Sequence, residues 1–223
     1  MRFKRKEKVI LFLGAVGLAA LVAGAGFGIY QRLKPDVVVQ PNITDERRSE
    51  LEAELVDARQ KSLENPEDID ARVSVGILEQ KLGLLSAAGR SFKSALKLNS
   101  RDYIIYMYLG ILYDEMERFD DADNALRTAT QLEPRDPKPF QALITLYKQH
   151  FPGRADDLED IFRAASDYTE SPEIWAEYAQ FLEDRGQARE AWVYWQQVLD
   201  AEPENEEAAA NVERLVEQMG VGG

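Results

Sequence analysis

The side chains able to do chemistry are few, and their spacing suits chemistry poorly. His150 is the single histidine and cysteine is absent, which excludes a His-cluster metal site, a thiolate nucleophile, a Cys-ligated metal and a disulfide. His150 stands beside Phe151-Pro152-Gly153 without a partner motif for a base or ligand, and reads as an exposed loop residue. Asp156, Asp157, Glu159 and Asp160 form a carboxylate cluster that invites a calcium site. They lack the glycine turn and alternating ligand spacing of an EF-hand loop, and read as acids favoured at a helix N-terminus. Glu202, Glu204, Glu206 and Glu207 read the same way, in the first turn of a closing helix. No phosphate-cradling Gly-rich loop or serine nucleophile elbow appears. Trp175, Trp192 and Trp195 fall at spacings expected of core positions. The expectation is a protein that is not an enzyme, with no catalytic residue, metal or cofactor.

The elements that position these residues follow from composition and pattern. A chain of 223 residues, 45% hydrophobic and 30% charged, can form one packed domain with an appendage. Its net charge of −13 is unevenly spread. Residues 1–34 hold seven Lys/Arg against one acid, whereas the remainder holds 20 against 39. An acidic body of that kind repels phosphate backbones, so no nucleic-acid partner is expected.

Residues 9–30 contain no charge: VILFLGAVGLAALVAGAGFGIY. As a helix this run spans roughly 33 Å, close to the hydrocarbon thickness of a bilayer. Five basic residues precede it (Arg2, Lys4, Arg5, Lys6, Lys8), and the positive-inside rule keeps the N-terminus cytoplasmic. Residues 1–30 are therefore expected to be a basic tip and transmembrane anchor, with the rest of the chain outside the cytoplasm. The alternative is secretion after signal cleavage near Ala25, at the small-x-small step Ala23-Gly24-Ala25. The apolar run continues past that step through Phe27, Ile29 and Tyr30, which favours the retained anchor. Ala20, Gly24 and Gly28 fall four apart, a small-residue face that would permit a weak homodimer.

Residues 31–43, with Pro35 and Pro41, read as an extended linker. Thr44 is a plausible N-cap for a helix over 44–66, with Leu51, Leu55, Ala58 and Leu63 on one face before Asn65-Pro66 ends it. The chain then repeats at 34 residues. Gly76 is followed by Gly110, Ala88 by Ala122, Ala95 by Ala129 and Ser100 by Pro134. Such spacing describes two antiparallel helices per unit: the glycines and first alanines permit close crossing, and the later alanines permit stacking. Residues 204–219 form an amphipathic helix with Ala208, Val212, Leu215 and Val216 toward the core, capping the last unit.

These positions resemble the tetratricopeptide repeat (TPR) family, in its membrane-anchored bacterial form. Residues 103–136 match best, with Tyr106, Leu109-Gly110, Tyr113, Ala122, Leu126, Ala129 and Pro134 in phase. Residues 69–102 carry Val75-Gly76, Ala88, Phe92 and Ala95, but Arg72 where the family has an aromatic residue. Residues 172–205 carry Trp175, Ala179, Leu182, Ala191, Trp195 and Pro203. Between them, Phe140, Leu143 and Tyr147 begin a unit with about two extra residues near His150-Phe151-Pro152-Gly153. About four units over 69–205 are implied. The expected fold is all-α: an N-terminal transmembrane helix followed by a right-handed TPR solenoid.

What the resemblance implies about function is a groove lined by the first helix of each unit, docking a peptide or helix of a protein partner. By phase the lining comprises Val73, Ile77 and Gln80, then Ile104, Met107, Tyr108 and Ile111, then Gln141, Thr145 and Lys148, and last Glu173, Glu177 and Gln180. The family's carboxylate clamp is not implied, because Val73 and Ile77 stand where it has Lys and Asn. The expectation is a membrane-tethered scaffold for envelope complex assembly or biogenesis. The alternative is an accessory subunit of a membrane enzyme or transporter, recruited through its transmembrane helix.

Overall fold

A computed structural model of the chain describes residues 43–220, and every regular element within them is an α-helix. The apolar run, the cleavage step, Ala20, Gly24 and Gly28, and the linker up to residue 42 lie outside the described residues. Among the described residues, no helix is long and apolar enough to cross a membrane. The ten helices are α1 (Asp45–Glu64), α2 (Ile69–Lys81), α3 (Leu85–Leu96), α4 (Tyr103–Glu115), α5 (Phe119–Leu132), α6 (Pro137–His150), α7 (Ala155–Tyr168), α8 (Pro172–Asp184), α9 (Ala188–Ala201) and α10 (Glu206–Met219).

Each helix start has a local cause. Asp68, Asp102, Asp136, Ser171 and Asn205 cap α2, α4, α6, α8 and α10, their side chains accepting a first-turn N–H. These caps recur at intervals of 34 or 35 residues, so the repeat is written in helix starts as well as in small residues. Thr44 Oγ1 likewise accepts from Arg47 N–H at the head of α1. The second helices have no side-chain cap. Three of them are entered through a tight turn with a left-handed residue: Gly83 (φ 75°), Glu117 (φ 56°) and Gly186 (φ 76°). In each, the following N–H returns five residues: Leu84 to Glu79 O, Arg118 to Tyr113 O, Gln187 to Leu182 O. That is the Schellman arrangement, and it satisfies carbonyls the helix end leaves open.

Small residues set how closely the helices of a hairpin approach. A Cβ on Gly76 would lie 2.5 Å from Phe92 Cε1, and one on Gly110 would overlap Leu126. In the fourth hairpin Ala179 and Trp195, both buried, stand at the same phase. The third hairpin has Ile144 there, 1% exposed, opposite Phe162. A branched side chain cannot enter so narrow a crossing, and the backbones of α6 and α7 come close over less of their length than in the other hairpins. The turn over residues 151–154 is correspondingly longer and uses no left-handed residue. Ala88, Ala95, Ala122, Ala129, Ala165, Ala191 and Ala208 all have zero exposure, which lets each hairpin stack on the next.

The two flanking helices close the ends of the core. Leu51, Leu55 and Ala58 of α1 pack on Val75, Leu78 and Leu82, with Ile43 against the same cluster. Each leucine so buried contributes roughly 1.5–3 kcal/mol. Leu63 does not join them: at about 100° per residue it is turned well away from the face of Leu51 and Ala58, and it is 74% exposed. The buried carboxylate of Glu79 ties the joint, accepting from Arg59 Nη2 of α1 at 2.7 Å and from Ser91 Oγ at 2.6 Å. At the other end Ala208 and Leu215 of α10 are buried, Val212 is half-buried on the same core, and Arg214 pairs with Glu183.

Two outcomes are expected. Glu117 holds a left-handed conformation that costs a side-chain-bearing residue about 1 kcal/mol and glycine little. Glu117→Gly should therefore raise the urea midpoint by the equivalent of about 0.5–1 kcal/mol; a fall would refute strain at this turn. The second concerns pH. Tyr103 Oη donates to the capping carboxylate of Asp136 at 2.8 Å, and this bond, followed by burial, pushes its pKa to about 12. Burial, followed by the neighbouring Tyr194 and Glu159, does the same for Tyr178, also to about 12. A phenol raised above its usual value of about 10 stabilises the fold fully below pH ~10 and loses that contribution toward pH ~12. Asp136→Asn should move one phenolate transition, followed by ultraviolet absorbance, back toward the usual value.

Candidate functional site

The first helices α2, α4, α6 and α8 are joined in a row by polar contacts. Gln80 Nε2 donates to Glu115 Oε1 at 2.7 Å, His150 Nε2 lies 2.9 Å from Asp114 Oδ1, and Lys148 Nζ lies 2.9 Å from Glu177 Oε2. Burial, helped by the charge of Asp114, raises the pKa of Glu115 against the opposing Gln80 hydrogen bond. The resulting face is the one on which the sequence places a groove.

Its expected lining is not uniform. Val73 is 9% exposed and belongs to the core, so it offers a partner little surface, contrary to expectation. Met107 is half-buried against the main core, and Tyr108 stacks on Phe92 with centroids 5.7 Å apart. These two serve the fold at least as much as any ligand. Ile77, Ile111 and Gln141 are half-buried, and Ile104 is 40% exposed. Ile104 and Ile111 stand two turns apart on α4 and form the apolar part of the face that stays open. Lys148 and Glu177 are brought together as an exposed ion pair, so each reduces the other's availability to a charged partner. Thr145 donates to its own helix through Gln141 O, and Gln180 donates to Asp184. Ser171 Oγ donates to Glu173, which with a backbone hydrogen bond lowers that carboxyl's pKa.

His150 is not the exposed loop residue that the sequence suggests. Helix α6 runs 14 residues where α2, α4 and α8 run 13, and position 150 is its last turn. The half-buried ring stacks on Phe119 at 3.9 Å. Asp114 Oδ1 is buried and has no hydrogen-bond partner among the described residues; His150 Nε2 is a close polar neighbour at 2.9 Å. No pattern within a few residues of His150 signals this, since its partners lie more than thirty positions away.

The acidic clusters are occupied by arginine. Arg185 reaches Asp156 at 3.0 Å and Glu159 at 3.5 Å, Arg154 pairs with Asp157, and Arg163 pairs with Glu159 and Asp160. Among the described residues no group of three or more His, Asp or Glu is placed to hold a metal. Glu206 and Glu207 lie in the first turn of α10, while Glu202 ends α9 and accepts from Asn205. Trp195 is buried and donates to Glu183 at 2.7 Å. Trp175 and Trp192 are half-buried on the core, and neither indole N–H finds an acceptor among the described residues.

No protein-family model matches the chain. A 95-residue stretch, 41% of the chain, is 30% identical to Superkiller complex protein 3 of Homo sapiens, and the match spans 6% of that protein. Among solved structures, PilF of Pseudomonas aeruginosa superimposes with a TM-score of 0.60 at 20% identity, covering 78% of this chain and 79% of PilF. MamA gives 0.57 at 17% identity, covering 76% and 99%. YrrB, described as a TPR protein with an unusual peptide-binding site, gives 0.54 at 18% identity, covering 73% and 84%. At these identities the likeness speaks to fold. The described residues form a TPR-like array of four helical hairpins, flanked by one helix at each end.

Proposed function

We propose that the chain is a non-catalytic scaffold that binds a segment of a protein partner on the face built by α2, α4, α6 and α8. The observation that carries this reading is the apolar pair Ile104 and Ile111, open beside a polar row that includes Gln80, Glu115, Asp114 and His150. Apolar surface in such a setting is favourable to cover and costs solubility when left bare. That YrrB, of similar fold, has a peptide-binding site adds support. The acidic residues around the pair suit a partner with basic groups flanking an apolar centre.

The same proposal places the scaffold on a bacterial inner membrane, tethered through residues 9–30 with its helical array outside the cytoplasm and a role in envelope complex assembly or biogenesis. Support comes from the charge-free run and the basic residues before it.

Ile104→Ser combined with Ile111→Ser should lower partner recovery in affinity capture from membranes by about tenfold, a loss near 1.4 kcal/mol. Circular dichroism should stay unchanged; recovery at the unmodified level would remove this face from consideration. Deleting residues 1–42 should preserve capture. Loss on that deletion would favour an accessory subunit recognised through its membrane segment. In intact spheroplasts, added protease should digest the array and leave a short membrane fragment. Full protection of the array would refute the proposed orientation.

A further inference from the structure

The repeat places an aromatic residue at one phase of each first helix: Tyr106, Phe140 and Trp175. The first unit has Arg72 there, and the substitution builds a different surface. Arg72 lines a cleft of about 220 Å³ between α1, α2 and α3 with Ser62, Val75, Arg90, Ser91 and Ser94. No carboxylate is among the lining residues. The Arg72 guanidinium makes no ion pair among the described residues. Its Nε donates to Pro66 O at 2.9 Å, Nη2 donates to the same oxygen, and Nη1 donates to Ser94 Oγ. The group is thus held in place by neutral acceptors with its charge uncompensated.

We propose that this cleft binds a phosphate-type oxyanion. The Ser94 hydroxyl accepts from Arg72 and so keeps its own proton to donate, and Ser62 adds a second hydroxyl donor. Arg72, clamped at three nitrogens, keeps one N–H on each of Nη1 and Nη2 and a fixed charge, donors that suit phosphoryl oxygens. Ser91 is not a donor to the site, because its proton goes to Glu79, whose charge Arg59 in turn offsets at 2.7 Å. Around the cleft the charge is near balance, residues 43–101 holding ten Lys/Arg against 11 Asp/Glu. Residues 83–101 carry Arg90, Lys93, Lys97 and Arg101 with no acid, whereas residues 102–220 carry ten Lys/Arg against 27 Asp/Glu. The site shares α2 with the proposed docking face but differs from it in the residues used, in charge and in ligand.

Calorimetric titration of the full chain in zwitterionic detergent at pH 7 with inorganic phosphate tests this, with sodium chloride held constant. One saturable site is expected, weakened tenfold or more by Ser94→Ala and by Arg72→Lys, which keeps the charge and loses the guanidinium's free N–H donors. Arg118→Gln, on the far side of the second turn, should bind as the unmodified chain does. Ser94→Ala leaves the Pro66 clamp intact, so its result stands even where Arg72→Lys loosens the turn. Glycerophosphoglycerol binding more tightly than inorganic phosphate would assign the site to a lipid headgroup; the reverse order would assign it to a free phosphate. Unsaturable heats, or equal affinity in both cleft variants, would overturn the proposal.

Discussion

The closeness with which paired helices cross governs this molecule. At Gly76 and Gly110 the partner's side chain occupies the space a Cβ would need, so α2 with α3 and α4 with α5 are locked at near-minimal separation. That separation fixes where the buried alanines fall, and they in turn fix how one hairpin seats on the next. The third hairpin shows the converse. With Ile144 at the crossing its helices part, and large rings join α7 to the next hairpin instead: Phe162 stacks on Tyr178 of α8 at 5.1 Å, and Tyr178 meets Tyr194 of α9 at 4.4 Å. One hairpin of the four is therefore set apart, its helices separated at the crossing while the other three cross closely.

Charge is unevenly distributed along the array as well. The basic stretch from Arg90 to Arg101 follows the first hairpin's turn, while the later units are heavily acidic. Charge of one sign spread over the later surface keeps chains apart in solution and draws in basic segments. Within that field most arginines are already engaged: Arg127 donates to Tyr147 Oη at 2.6 Å, and Arg154 lies over the same ring at 5.0 Å. Arg72 differs from them in having neither a carboxylate nor a ring as partner.

Much of the fold was legible because its causes are local and periodic. The recurrence of Gly76 at Gly110 and Ala95 at Ala129 marks crossings and contacts that repeat in space. The extra residues near Pro152 correspond to one more residue of α6 and a turn over residues 151–154. The aspartates at 68, 102 and 136 carried the same period and went unread, although each caps a first helix. The candidate face was less legible. Whether Val73 is covered, or Tyr108 is used up on Phe92, depends on neighbours one helix away, which helical spacing alone does not report. His150 misled for the same reason: a residue next to Pro-Gly looks exposed until the distant Phe119 and Asp114 are placed beside it.

The flanking helices also bear on how copies of the chain meet. Stacked hairpins are open-ended by construction, and an exposed end resembles the surface that received the previous unit. Head-to-tail addition of whole molecules would need no rotation to close, and would grow filaments without limit. Here the first end is α1, with seven acids against four bases, and the last is α10, with four acids against one base. Two ends of the same sign repel when brought together, so the helices that complete the core also terminate polymer growth.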